Sequence, residues 1–160
     1  MFKIQFEITT PERTAFKDEI DSLTVQTRDG EITILPNHIP LVAPLATGEL
    51  VVRKNKEIIP LHVGEGFVEI KPSLSGSHVT RVIILADEAE RAEEIDVKAA
   101  EEAQQRAQKA MESYKNADDV KFADATAVFE RALSRTKIAR KHARGSGGFT
   151  TGGRASIDNE

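Results

Sequence analysis

At Ala86-Asp87 the hydrophobic pattern of the chain changes period, and that change restricts it to a two-part build. Before this point apolar residues alternate. Phe2, Ile4, Phe6 and Ile8 are separated by Lys3, Gln5 and Glu7, the period of two that marks a strand with one buried face. Leu23 and Val25 continue the pattern, Asp29-Gly30 gives a turn signal, and Ile32 and Ile34 resume it, so a hairpin crosses Asp29-Gly30. Further strands are expected at Glu49–Arg53, Glu57–Val63, Phe67–Lys71 and His78–Leu85. Gly48, Asn55-Lys56, Gly64 to Gly66 and Pro72 to Gly76 separate them. Many short strands so punctuated predict a sandwich or flattened barrel, large enough to close a core without bridges or metals.

After Ala86 the punctuation stops. No Gly or Pro occurs from Asp87 to Tyr114, and Asp87 with Glu90 reads as a helix start, where carboxylates meet free N–H groups. Ala89, Ala92, Ala99, Ala103, Ala107, Ala110 and Tyr114 fall at helical spacing. Asn116 to Asp119 interrupts the pattern. A second stripe then runs through Phe122, Ala125, Phe129, Ala132, Thr136 and Ala139. A short link between two helices predicts an antiparallel hairpin. The fold class is therefore α+β: a β-sandwich over 1–86, a helical hairpin over 87–144, and a disordered Gly-rich tail over 145–160. Narrow alanine stripes bury little area, so the hairpin is expected to be marginally stable alone and movable.

Charge is divided in the same way. Residues 87–112 carry nine acidic and four basic side chains; residues 131–144 carry six basic and no acidic ones. Absence of cysteine excludes disulfides and thiolate zinc sites. His38, His62, His78 and His142 show no ligand spacing, so no metal site is expected. No nucleophile elbow or phosphate-cradling loop after a strand points to catalysis. No run is long and apolar enough for a membrane span, and the N-terminal segment lacks the marks of a signal or transit peptide. A cytoplasmic location follows as an expectation, with membrane association only through partners.

Several segments stand in a telling order. They are Thr9-Thr10-Pro11-Glu12-Arg13, Gly30-Glu31-Ile32-Thr33-Ile34-Leu35-Pro36-Asn37-His38-Ile39-Pro40-Leu41, Gly64-Glu65-Gly66-Phe67-Val68-Glu69, Ile84-Leu85-Ala86-Asp87, and Ala89-Glu90-Arg91-Ala92-Glu93-Glu94-Ile95-Asp96. Together, over about residues 1–144, they resemble the epsilon subunit of F-type ATP synthases, called delta in mitochondria. Thr33 replaces a more usual Gly, and Glu65-Gly66-Phe67 stands where Gly-Gly-Phe is frequent.

The resemblance implies a non-catalytic central-stalk subunit at the cytoplasmic face of the bacterial plasma membrane. Its sandwich would be held by the gamma subunit and sit on the c-ring, passing torque to the catalytic head. Its hairpin would fold down on the sandwich or extend along gamma and restrain ATP hydrolysis. Glu31, a solvated turn charge when read alone, would then face the polar loops of the c-ring. Ile34, Leu35, Pro36, Asn37 and His38 would shape the same surface.

The basic run of Arg131, Arg135, Lys137, Arg140, Lys141 and Arg144 has three readings: a solvated helix face, a nucleic-acid patch, or a surface docking on an acidic segment of the beta subunit. An acidic chain without aromatic stacking residues there disfavours nucleic acid, and the resemblance implies beta and gamma docking. Some bacterial members bind ATP between hairpin and sandwich through Ile/Leu-Asp-x-x-Arg-Ala. This chain has Ile95-Asp96-Val97-Lys98-Ala99-Ala100, with Ala99 at the Arg position. Glu90, Asp96, Arg106, Arg131 and Arg135 match other positions of that site. The alternative function is thus a weak ATP sensor, since Lys98 cannot supply the planar fork of an Arg; otherwise Arg131 and Arg135 pair with acids of the first helix.

Overall fold

The computed structural model describes residues 2–72, 79–117 and 119–146. His78, and the expected tail from 147 onward, lie outside them. Ten strands come first: β1 (Ile4–Thr9), β2 (Thr14–Ile20), β3 (Ser22–Thr27), β4 (Gly30–Ile34), β5 (Leu41–Leu45), β6 (Gly48–Lys54), β7 (Glu57–Val63), β8 (Gly66–Pro72), β9 (Thr80–Ala86) and β10 (Ala89–Arg91). One 3-10 turn (Ala92–Glu94) leads to α1 (Val97–Tyr114) and α2 (Asp119–Ser146).

The strands form one continuous sheet in the order β10-β7-β6-β3-β5-β8-β9-β1-β2, with β4 branching from β3. All neighbours are antiparallel except β1 and β9. The sheet folds over into a nearly closed barrel. Asp21 N–H donates to Arg53 O at 2.8 Å, and Lys54 pairs with Asp18, so β2 and β3 are tied to β6. The interior is a single cluster built on the inward residues of the alternation, among them Ile4, Phe6, Ile8, Leu23, Leu61 and Ile84. Strand periodicity therefore predicts the core directly.

Three strands were not foreseen: β2, β5 and, where a helix start was expected, β10. In β2 the half-buried Asp18 sits between buried Phe16 and Ile20 and is answered by Lys54, which breaks the apolar alternation. In β5, Pro44 removes a ladder donor, which argues against strand by composition; its carbonyl nevertheless accepts from Arg28 N–H at 3.0 Å.

The expected helix start at Asp87 is wrong. Residues after Ala86 turn back and add β10 to the edge of β7, with Ala89 opposite Val63, Glu90 opposite His62 and Arg91 opposite Leu61. Asp87 N–H donates to Glu65 O at 2.9 Å and Gly64 N–H to Glu88 O at 3.0 Å. The turn passes so close that a Cβ on Gly64 would lie 1.9 Å from Asp87 Oδ1. The helix begins ten residues later, where Asp96 accepts from Ala99 N–H at 2.9 Å as the N-cap. This later start also corrects the stripe. Ala100 and Ala107, not Ala99 and Ala110, are the buried alanines of α1, and Ala89 belongs to the sandwich core.

The two helices pack on each other and on the β10 end of the sheet. They share with the 3-10 turn a small cluster of Ala92, Ile95, Ala100, Ile138 and Ala139. Only two of these five are large, each stabilising by about 1.5–3 kcal/mol when fully buried. The sandwich core holds twenty buried residues among those described.

Candidate functional site

Three surfaces carry chemistry. The first is the segment from β4 into β5. Glu31 is exposed on β4, and its Oε2 accepts from Gln26 Nε2 at 2.7 Å across the strand pair. Leu35 and Ile39 project from the following loop, 56% and 74% exposed. Asn37 shapes that loop by adopting φ 68°, and its N–H donates to Thr80 Oγ1 at 2.6 Å, pinning the loop to β9. His38 N–H donates to Leu35 O at 3.2 Å, and its Nδ1 lies 2.7 Å from Ile39 O, so Nδ1 carries the proton and donates. Ile34, expected on the contact surface, is instead fully buried in the sandwich core. It closes β4, and its parity with Ile32 turns it inward. Pro36 is half-buried.

A second surface escaped the sequence reading. On the outer face of β5, β8 and β9, Pro44 stands opposite Phe67 and Phe67 opposite Leu85, while Val42 and Ile83 flank Glu69. Val42, Phe67 and Leu85 are more than half exposed. Their neighbours Ala43, Val68 and Ile84 face the core, so these strands are apolar on both sides. The uninterrupted run Val82-Ile83-Ile84-Leu85 was the available signal.

The third surface is the seam between hairpin and sandwich. Arg135 grips Glu90 with two hydrogen bonds, Nε to Oε2 at 2.8 Å and Nη2 to Oε1 at 3.1 Å. This bidentate contact keeps the guanidinium protonated more firmly than usual. Arg131 Nη2 lies 3.0 Å from Asp87 Oδ2, and its Nε 3.9 Å from Glu88 Oε1. Lys141 Nζ donates to both oxygens of Glu49, at 2.7 and 3.0 Å. Arg140 Nε reaches Glu101 Oε1 on α1 at 2.7 Å. Lys137 lines an open groove with Glu49, Ser134 and Ile138, and Arg144 is exposed near the helix end.

The basic run thus meets mainly the sandwich. Among the described residues only Arg140 pairs with α1. Arg131 and Arg135 do pair with acids of the segment expected to open the first helix, Asp87 and Glu90, but the structure places these in the β9–β10 turn and in β10. Beneath α2 lies His62, 1% exposed, its Nδ1 3.6 Å from Glu88 Oε1. Burial, then the charge of Arg135, lowers this imidazole to about 4. Burial raises the Glu88 carboxyl.

The five residues matched to a nucleotide site are only partly assembled. Glu90, Arg131 and Arg135 gather at the seam. Asp96 caps α1 and adds to the negative field at Arg135. Arg106 is exposed on α1, outside the ion pairs of the described residues. Among those residues no cluster of His, Cys, Asp and Glu is arranged to hold a metal ion.

Comparison with known proteins agrees with this architecture. Residues 3–92 match the family model of the ATP synthase Delta/Epsilon chain beta-sandwich domain. Residues 93–140 match that of its long alpha-helix domain. An ATP synthase epsilon chain of Dehalococcoides mccartyi is 40% identical over 141 residues, 88% of this chain and 95% of the relative. One from Chloroflexus aggregans is 38% identical over 139 residues, 87% and 94% of the two chains. Among solved structures, a chain of the Euglena gracilis mitochondrial ATP synthase has the same fold at TM-score 0.68 and 20% identity, covering 89% of this chain and 81% of that one. The sandwich, the helical pair and these matches over most of its length show that the chain belongs to the ATP synthase delta/epsilon family, among the epsilon chains.

Proposed function

We propose that the chain is a non-catalytic central-stalk subunit, peripheral at the cytoplasmic face of a bacterial plasma membrane. It couples c-ring rotation to the catalytic head and restrains ATP hydrolysis through a detachable hairpin. One observation carries this reading: the hairpin rests on the sandwich through Arg131, Arg135 and Lys141 and a small apolar cluster, while the sandwich has a complete core of its own. An element held by a cluster with two isoleucines, at about 1.5–3 kcal/mol each, and by partly exposed ion pairs, at about 0–1 kcal/mol each, is held by only a few kcal/mol. It can therefore exchange between states separated by a few kcal/mol.

The remaining surfaces fit two further partners. The apolar face of Val42, Phe67 and Leu85 suits a permanent grip by gamma. Glu31 with Leu35 and Ile39 suits the polar loops of the c-ring, where charge complementarity fixes register. Extended, the basic helix is free for acidic segments of beta and gamma. No helix among the described residues is long and apolar enough to cross a membrane.

Truncation tests the reading, and the structure moves the cut. The chain should end after Glu94, beyond β10, since an end before Arg91 strips β10 residues from the β7 edge. The truncated protein is expected to fold, to co-purify with gamma and the c-ring, and to leave hydrolysis less inhibited. An unfolded product, or one that no longer binds gamma, overturns it.

The gathering of Glu90, Arg131 and Arg135 at the seam favours a second reading, in which ATP bound there clamps the docked hairpin. Ala99 at the motif Arg position keeps affinity weak. ATP titration of the isolated chain is expected to show at most millimolar-range binding, lost in Arg131→Ala or Arg135→Ala. Binding that survives both substitutions removes this reading.

A further inference from the structure

We infer that His62 makes the docked hairpin a proton-sensitive latch: the hairpin stays down while the imidazole is neutral and lets go when it takes up a proton. This rests on the reading above that the hairpin can leave the sandwich.

The geometry is a row across three strands. Glu49 on β6, His62 on β7 and Glu90 on β10 stand opposite one another in register, on the face that α2 covers. Leu61 and Val63 point into the core, which turns His62 outward, yet it is only 1% exposed because the hairpin lies over it. Each acid flanking it is already engaged: Glu49 with Lys141, Glu90 with Arg135, and Asp87, in the β9–β10 turn, with Arg131. Glu88 lies nearest, but 3.6 Å from Nδ1 exceeds hydrogen-bond reach, and Arg131 also faces that oxygen. Glu12 and Arg13 of the β1–β2 loop line the same cavity. His62 Nε2 and Glu88 Oε1 are both buried without a hydrogen-bond partner among the described residues. A proton on His62 would therefore place a further buried cation beneath Arg131 and Arg135, faced only by Glu88 Oε1, 3.6 Å away and shared with Arg131.

The direction follows from linkage. Docked, burial and the two arginines hold the imidazole at about 4, with Glu90 and Asp87 opposing them. Undocked, both the cover and the arginines depart, and the imidazole returns to about 6.5. A group depressed in the docked state favours docking above its free value and withdraws that favour as pH falls towards its docked value. The ratio of docked to undocked hairpin is expected to fall about tenfold from pH 7.5 to 5.5. Glu88 acts in the opposite sense: burial raises its carboxyl, so its protonation favours docking.

The chain has no cysteine, so one introduced thiol reports alone. Ile138→Cys places it on the packed face of α2, in the groove beside Glu49. Its trapping rate in the full chain is measured from pH 7.5 to 5.5 and divided by that of the exposed Lys109→Cys, which removes the thiolate fraction. Val68→Cys in the sandwich core reports global unfolding. The corrected rate is expected to rise about tenfold with His62 present and to stay flat in His62→Gln, while Val68→Cys remains unreactive. An equal rise in His62→Gln, or none with His62, overturns the latch while leaving a detachable hairpin intact. No trapping of Ile138→Cys at any pH overturns both. NMR titration of His62 is independent of any substitution at that position, and an imidazole that titrates near 6.5 in the docked chain refutes the inference by itself.

Discussion

At the scale of single residues, one segment contains both the proposed c-ring contact and its scaffold. Glu31 and Ile34 are three positions apart on β4, yet one is exposed and the other fully buried. Ile34→Ala should therefore destabilise the whole sandwich by about 2–5 kcal/mol, the usual loss for a buried Ile. Glu31→Ala should leave the melting midpoint within a degree or two and weaken only c-ring association. Thermal unfolding of both variants with c-ring co-purification separates them; equal stability of the two would refute the assignment. Alternation of Ile32 and Ile34 was enough to read this burial, but a motif read as a block hid it. The outward Phe67 and Leu85 were illegible for the opposite reason, since alternation assumes one wet face and these strands have apolar residues on both. His62 was unreadable as well, because its burial comes from a helix some seventy residues away in the chain.

At the scale of elements, the boundary was the weak point. Asp87 and Asp96 each precede a run without Gly or Pro, and sequence alone does not say which one caps the helix. The decision is tertiary: β7 offers an unpaired edge, and Ala89 to Arg91 satisfy it with ladder hydrogen bonds before any helix can start. Asp96 then holds two roles, capping α1 and standing in the candidate nucleotide set. Asp96→Ala is expected to loosen the hairpin by about 1 kcal/mol through loss of the cap, whereas Asp96→Asn keeps an acceptor and should be nearly neutral. Circular dichroism and amide exchange of α1 measure the cap. A full loss of helix protection in Asp96→Asn would show that the charge, not the cap, is what counts. If ATP binds, it should weaken in both variants.

At the scale of the whole molecule, one set of cations serves two states. Arg131, Arg135 and Lys141 hold the hairpin down on Asp87, Glu90 and Glu49, and under the proposed function the same side chains face beta and gamma when it extends. Removing the cations therefore weakens both states, and the balance between them moves little. Neutralising the sandwich acids weakens the docked state alone. The triple variant Glu49→Gln, Asp87→Asn, Glu90→Gln is expected to release the hairpin and make the assembled enzyme more strongly inhibited in hydrolysis. Three partly exposed pairs at about 0.2–1 kcal/mol each correspond to a shift of about three- to hundredfold. The shift should shrink as ionic strength rises from 0.05 to about 0.5 M, because the screening length drops to a few ångströms. Hydrolysis assays of the triple variant beside Arg131→Ala, Arg135→Ala, Lys141→Ala decide the matter. Greater inhibition in the first and reduced or unchanged inhibition in the second supports competition for one set of charges. Relief of inhibition in the acid variant would mean that the docked form restrains the enzyme, and the direction of the switch would have to be reversed.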